Sequence, residues 1–409
     1  MSNVILEGKT FVVGGFVRNH LLNIEVNDID IVVVGSHHEE MISLGFEQVG
    51  KAFPVYLHPE TGDEFALARK EVSTGDGHQD FEFHTEDVTL EEDLFRRDFT
   101  MNAMAMPVEV HSSGSYNIDT TTLIDPYKGK SDLDAEILRP VSDHFMEDPL
   151  RILRAVRFRC QYGFVFSTCL VNVVTTIAMR TPNLLEELSQ ERVLAELDKI
   201  ARSAYPEYVM PYLRLFTPFD SVMFSITQDN ITGLNLFSQV ENTLKYAGYS
   251  DYRVRLVLFY ATLLLATDKK SFDDWIDKVK FSKELKRQLT LLCRFHRIIT
   301  IYRSPLKSTS GIDVARMLKS DKDLLLVFQW GMVLKRFYTS VFKKTQINTL
   351  IKSVKDSYNI LKSEGHSEAM RKLAEEGQTS NPDFFVVGKP TKEDFLECSY
   401  WYIKNELEK

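Results

Sequence analysis

Short apolar blocks separated by turn residues fill the first seventy positions. Phe11-Val-Val13 runs into the Gly14-Gly15 break, Val17, Leu21 and Leu22 follow at helical spacing, and Asp28-Ile-Asp-Ile-Val-Val-Val34 returns to a strand pattern. Gly35 and Ser36 open a short helix toward Leu44, and Phe53-Pro-Val-Tyr-Leu57 and Glu64-Phe-Ala-Leu-Ala68 read as further strands. A small mixed sheet is predicted. Residues 71–90 are polar, hold two glycines and lack a period, so they read as a mobile loop inside the first domain. From Asp148 onward Leu150, Leu153, Val156 and Phe158 fall near a helical repeat that continues, so the second half is expected to be all-α. The fold class is α+β, without internal repeats or low-complexity tracts.

With 409 residues and 44% apolar composition the chain can bury more than one core, and two to three domains are expected. It holds no apolar run near 18 residues, and Met1 to Gly15 lack the basic start and small-residue cleavage site of a signal peptide. A soluble, cytoplasmic chain with no membrane partner is expected. Cys160, Cys169, Cys293 and Cys398 lie far apart without a CxxC pair, which suggests neither zinc nor disulfides and predicts buried thiols.

The formal net charge of −9 argues against a uniformly basic nucleic-acid binder, but charge is unevenly spread. Lys278 to Arg303 carries eight basic residues against the single acid Glu284. Lys335 to Lys355 carries six and no acid, with Phe337, Tyr338 and Phe342 interleaved. Such stretches suit a phosphate backbone or an ordinary solvated helix face, and each reading stands equally for each stretch.

Three constellations carry chemistry. In the first, Gly14, Gly15 and Arg18 precede Asp28 and Asp30. Side chains alternate along a strand, so the two acids would emerge on one face, where their repulsion is relieved by a divalent cation. Oxygen ligands of this kind suit Mg²⁺, which takes its remaining ligands from water and nucleotide phosphates. The glycines would let backbone N–H groups and the next helix N-terminus approach a triphosphate, with Arg18 adding charge. An ordinary turn followed by two exposed acids is the competing reading.

The second runs from Asp93 through Arg96, Arg97 and Asp98 to Asn102. The arginines can hold phosphates, and Asp98 and Asn102, one turn apart on a helix, can hold sugar hydroxyls. The bland alternative is a salt-bridged helix start. In the third, Asp148 and Pro149 open a helix on which Arg151, Arg154 and Arg157 recur every three residues. An acid beside a guanidinium fork can hydrogen-bond the pairing edge of a base, whereas a capped helix with a basic stripe needs no ligand.

In this order and spacing the three constellations resemble class II tRNA nucleotidyltransferases and the related bacterial poly(A) polymerases, members of the polymerase-beta-like nucleotidyltransferase superfamily. The bacterial CCA-adding branch is the most similar. Val33-Val-Gly-Ser36, Phe53-Pro-Val-Tyr-Leu-His-Pro59, Ala66-Leu-Ala-Arg-Lys70, Ile124-Asp-Pro-Tyr127 and Gln190-Glu-Arg-Val193 fit the same family, over roughly residues 8 to 200.

The resemblance implies a head at 1–140, a helical neck at 141–205 and an all-α body and tail at 206–409 that hold tRNA. It implies addition of CCA from CTP and ATP without a nucleic-acid template. Asp28 and Asp30 would bind catalytic Mg²⁺ for a two-metal displacement, with Glu64 as a third carboxylate. Arg97, Asp98 and Asn102 would contact the ribose. Asp148 and Arg151 would select the base, supported by Arg154 and Arg157, and the 71–90 loop would serve addition of the terminal A. Two departures stand out: Asn19 replaces the family's usual aspartate after Arg18, and the chain has no His-Asp dipeptide, so a C-terminal metal phosphohydrolase is not expected. A poly(A) polymerase and a catalytically silent RNA-binding relative are the rival readings.

Overall fold

The run at Thr10–Val13 (β1) is rich in β-branched residues and mostly buried, as suits a strand covered on both faces. It is paired antiparallel on one side to Ile31–Val33 (β2) and on the other to Ala105–Val110 (β8). With Glu47–Val49 (β3), Val55–Leu57 (β4), Glu64–Leu67 (β5) and Tyr116–Ile118 (β9), these strands form a seven-stranded sheet in the order β3-β4-β5-β2-β1-β8-β9. Within this sheet only β2 and β5 run parallel, in the register Ile31 to Phe65. The sheet is mixed, as expected, and the α+β class holds.

The computed structural model describes residues 6, 9–26, 29–49, 55–73, 81–111, 113–180, 188–209, 252–263, 276, 279–301, 312–337 and 341–364. The chain divides into two compact units, residues 1–184 and 185–409. Unit 1 holds the sheet and the helices Gly15–Leu21 (α1), His38–Ser43 (α2), Leu90–Phe95 (α3), Gly129–Asp134 (α4), Leu150–Tyr162 (α5) and Thr168–Arg180 (α6). Its core includes Val13, Val32, Ala68, Leu94, Ala103 and Ala105, which join the sheet to α3 and the turn that follows it.

Several expectations need correction. The ends of the presumed 71–90 loop are strands: Lys70–Ser73 (β6) pairs antiparallel with Phe81–His84 (β7), and Thr89 caps α3 through a reciprocal capping box with Glu92. Residues 74–80 lie outside the described residues. The region after Asp148 is not purely helical, because Val165–Phe166 (β11) pairs in parallel with Ile137–Leu138 (β10) between α5 and α6. Of the cysteines, Cys160 is buried but Cys169 is exposed and Cys293 partly so; Cys398 lies outside the described residues.

Unit 2 is helical among its described residues: Gln190–Ala201, Tyr252–Leu263, Lys283–Ile301, Ile312–Ala315, Asp321–Phe337 and Val341–Glu364, with a 3₁₀ turn at Pro206–Val209. Leu292, Phe295, Trp330, Leu334, Leu350 and Val354 are among its fully buried side chains. No helix among the described residues is long and apolar enough to cross a membrane.

Candidate functional site

The turn between β1 and α1 brings the first two constellations together. Gly14 has φ 65° and ψ −117°, a conformation that side chains with a Cβ strongly disfavour. A Cβ there would lie 2.9 Å from Arg97 Nη1, 3.8 Å from the Asn102 carbonyl and 4.0 Å from Asp30 Oδ2. The glycine therefore leaves a gap into which an arginine and a carboxylate both point. Its own N–H is spent on Met104 O at 3.3 Å, so what it contributes is the missing side chain rather than a donor. The helix that follows is seven residues long.

Asp30 sits one residue before β2, exposed, with no hydrogen bond or ion pair to its carboxylate among the described residues. Asp28 lies outside the described residues. Glu64 opens β5, exposed; since Ile31 is level with Phe65 on the neighbouring parallel strand, Glu64 falls level with Asp30. A hard divalent cation takes oxygen donors and keeps several waters. An unpartnered exposed carboxylate beside a side-chain-free turn fits it.

Around this opening lies a network of arginines and buried acids. Asp93, fully buried, accepts from Arg96 Nη2 at 3.0 Å, Arg97 Nη2 at 3.2 Å and the Arg69 N–H at 3.3 Å. Burial raises its carboxyl pKa, but the charges of Arg97 and Arg96 and their hydrogen bonds outweigh that and hold it below the ordinary value. The sequence names Asp93 as the start of the second constellation without a role of its own, and its spacing of three and four ahead of the two arginines fits the salt-bridged helix start offered there as the alternative.

Asp98 gathers arginine and amide donors in the same way. Its Oδ1 accepts from the Phe99 N–H and Asn102 Nδ2, both at 2.9 Å, and its Oδ2 accepts from Arg154 Nε at 2.8 Å and Nη2 at 2.6 Å. Burial pushes this carboxyl up; Arg154 and the hydrogen bonds more than reverse it. Asp98 and Asn102 meet as expected, through a 3₁₀ turn at Thr100–Asn102 rather than an α-helix, because α3 ends at Phe95.

Asn102 continues the chain by accepting from Arg18 Nη1 at 2.6 Å. Arg18 is buried, grips Asn19 Oδ1 through Nε and Nη2, and lies 5.1 Å from the ring centroid of Phe158 and 5.5 Å from that of Tyr162. It is a tie between α1, the 3₁₀ turn and α5, not an outward-facing phosphate hook. Arg157 stacks over the same Phe158 ring at 4.0 Å, and its Nη1 is 3.4 Å from Gln161 Oε1.

The third constellation is only partly arranged as expected. Helix α5 begins at Leu150 with Pro149 as its cap residue, and Asp148 Oδ1 accepts the Leu150 N–H at 3.0 Å. Arg151 donates its two terminal nitrogens to the carbonyls of His144 and Arg96, the latter at 3.0 Å. Asp148 and Arg151 thus share one helix end, with the guanidinium clamped to backbone. His144 and Arg96 also line a cleft of about 380 Å³ together with Phe95 and Tyr127.

In unit 2 the basic stretch around Lys283–Ile301 is partly consumed internally. Arg287 bonds Glu284 at 2.5 Å and the buried Asp323 at 2.7 Å, Lys280 pairs with Glu191, and Lys343 reaches the Ile299 carbonyl. The side chains of Lys335, Arg336, Phe337, Tyr338 and Phe342 lie outside the described residues.

Residues 10–139 match the family model of the poly A polymerase head domain. A multifunctional CCA protein of Shewanella frigidimarina is 46% identical over 210 residues, 50% of this chain and 48% of that protein. A CCA-adding enzyme of Blochmanniella floridana is 39% identical over 251 residues, 58% of this chain and 56% of its own length. The chain thus spans about half the length of the relatives it matches. Among solved structures, an apo form of a CCA-adding enzyme superposes with a TM-score of 0.59 at 22% identity, covering 91% of this chain and 84% of that one. The Thermotoga maritima CCA-adding enzyme complexed with tRNA gives 0.58 at 21% identity, covering 91% and 83%. These last two likenesses establish the fold.

Proposed function

We propose that this chain is a template-independent, metal-dependent tRNA nucleotidyltransferase that builds or repairs a 3′-terminal CCA from CTP and ATP. The observation that carries the reading is the convergence of Asp30 and Arg97 on the side-chain-free turn at Gly14, backed by the polar cluster of Asp98 and Asn102. The head-domain match over residues 10–139 and the identity to CCA-adding relatives support it.

In this reading Asp28 and Asp30, with Glu64 alongside, hold Mg²⁺. When bound, the cation neutralises charge at the α-phosphate and favours the ionised form of the attacking 3′ hydroxyl. Gly14 and Gly15 leave room for the triphosphate, and Arg97 meets its charge. Asp98 and Asn102 fix the ribose, Arg154 holds Asp98 in place, and Arg18 and Arg157 brace the wall around Phe158. Asp148 and Arg151 read the base, which requires Arg151 to exchange its carbonyl partners for the nucleotide. The 3′ oxygen forms the new bond to the α-phosphorus as the bond to the leaving pyrophosphate breaks. The head would end near residue 140, the base-reading neck near 205, and the remaining helices would hold the tRNA.

The deciding assay incubates the full chain with Mg²⁺, CTP, ATP and tRNA lacking its CCA end, and resolves products at single-nucleotide length. Growth that stops after CCA, and falls by more than about a thousandfold in Asp28→Ala plus Asp30→Ala, is the expected result. Long A tails without incorporated C would make the chain a poly(A) polymerase, and no transfer would leave it an RNA-binding relative.

A further inference from the structure

Arg18 is 8% exposed, yet every hydrogen-bond acceptor it meets is a neutral amide oxygen: Asn102 Oδ1 at 2.6 Å, and Asn19 Oδ1 at 3.0 Å from Nε and 2.9 Å from Nη2. Among the described residues it makes no ion pair. The nearest acid along the network, Asp98, is already held by Arg154 at 2.6 Å. Asp93 in turn is shared by Arg96 and Arg97. Burying a guanidinium such as Arg18 without a counter-ion is costly. Its location matters as well: a Cβ on Gly15 would lie 3.7 Å from Arg18 Nη2, so the excess charge lies directly behind the glycine turn.

We propose that Asn19 is a positioning residue that holds Arg18 in place without neutralising it, leaving the triphosphate of the incoming nucleotide as the counter-ion. This rests on the nucleotidyltransferase reading. A single amide oxygen can accept from both nitrogens of a guanidinium edge, and Asn19 Oδ1 does so here while also accepting from Tyr162 Oη at 3.2 Å. What the amide does not do is cancel the field. That field extends through a poorly solvated wall toward the gap at Gly14, where it favours a polyanion entering and a pyrophosphate gathering charge as it leaves.

The test uses the full chain and two variants, Asn19→Asp, which adds charge at constant shape, and Asn19→Ser, which withdraws the acceptor and adds none. At saturating Mg²⁺, Asn19→Asp is expected to raise the KM for CTP and the dissociation constant of pyrophosphate about three- to tenfold. KM should rise more than kcat falls, and the melting temperature should increase as Arg18 gains a counter-charge. Asn19→Ser should lower the melting temperature and weaken both ligands less than Asn19→Asp. Undiminished affinity in Asn19→Asp, or equal weakening in both variants, overturns the proposal. Should the parent chain transfer no nucleotide, the activity reading fails, and calorimetric binding of Mg²⁺ and pyrophosphate to the three proteins still decides the role of Asn19.

Discussion

Two arginine-containing networks in this molecule use the same chemistry to different ends. In unit 2, Arg287 is enclosed by Glu284, by the buried Asp323 and by the Met317 carbonyl at 3.2 Å, and Asp323 is further satisfied by the Lys319 N–H at 2.7 Å. One guanidinium faces two carboxylates, so none of its positive charge is left over. In unit 1, Asp93 and Asp98 are also buried and paired with arginines, but Arg18 meets only amide oxygens and makes no ion pair among the described residues, beside an exposed Asp30 with no partner among them. A closed network adds stability; an overcharged one is a place for an anion. Counting basic residues along the sequence does not separate the two cases, because only geometry tells whose charge has been cancelled.

The largest effect is expected from Asp98→Ala. It strips an acceptor from Arg154 and Asn102 at once, which costs on the order of 3–5 kcal/mol of stability, and it removes the proposed ribose contact, so transfer should be lost in the product assay. Asp323→Ala makes the equivalent lesion in unit 2. It should cost on the order of 3 kcal/mol in urea melts while leaving the KM for CTP of the folded fraction unchanged. A shift in that KM would erase the contrast between the networks.

Gly14→Ala comes next. The backbone conformation costs about 1–3 kcal/mol for a residue with a Cβ, and the new methyl would displace Arg97, whose Nη1 lies 2.9 Å away. A fall in kcat/KM of about tenfold or more is expected from so small a misplacement.

The smallest effect is the most selective. Burial, with Lys343 and Arg297 nearby, lowers the pKa of His296 to about 4, against about 6.5 in an unfolded chain. Between those values the unfolded chain binds more protons, so unit 2 should lose stability as pH falls from about 6.5 toward 4. Asp98 and Asp93 are depressed instead. Their contribution is complete above the ordinary carboxylate value of about 4 and is lost only as pH drops below it. All three tryptophans, Trp275, Trp330 and Trp401, belong to unit 2. Tryptophan fluorescence should therefore report the milder transition, and CTP binding the more acidic one.

Much of unit 1 is legible in its sequence because its signals are local. Phe11 to Val13, the glycine break and the α5 periodicity each declare themselves within a few residues, and β1, α1 and α5 follow. The hairpin of β6 and β7 reads as a loop because its polar content masks the alternation of Phe81-Glu-Phe-His84. The two-residue strands β10 and β11 are too short to show a period. Among the site residues, Asp98 and Asn102 meet because four positions separate them. The bond from Tyr162 to Asn19 spans 143 positions, and no pattern in a single sequence announces it. The clamp on Arg151 escapes for a related reason: its acceptors are main-chain carbonyls, which every residue has.

That long span also bears on how the protein is made. Arg18 joins Asn102 across 84 positions, Arg154 joins Asp98 across 56, and Tyr162 closes the set on Asn19. Closing loops of this length costs chain entropy before any contact is gained, so the wall around Arg18 is expected to form after the local elements it joins. A nascent chain emerging from the ribosome displays the Gly14 turn and Asp30 long before it can present Tyr162. On the proposed function, nucleotide binding would become available only once α5 has been synthesised and docked, and acquisition of CTP affinity during translation would then time the completion of unit 1.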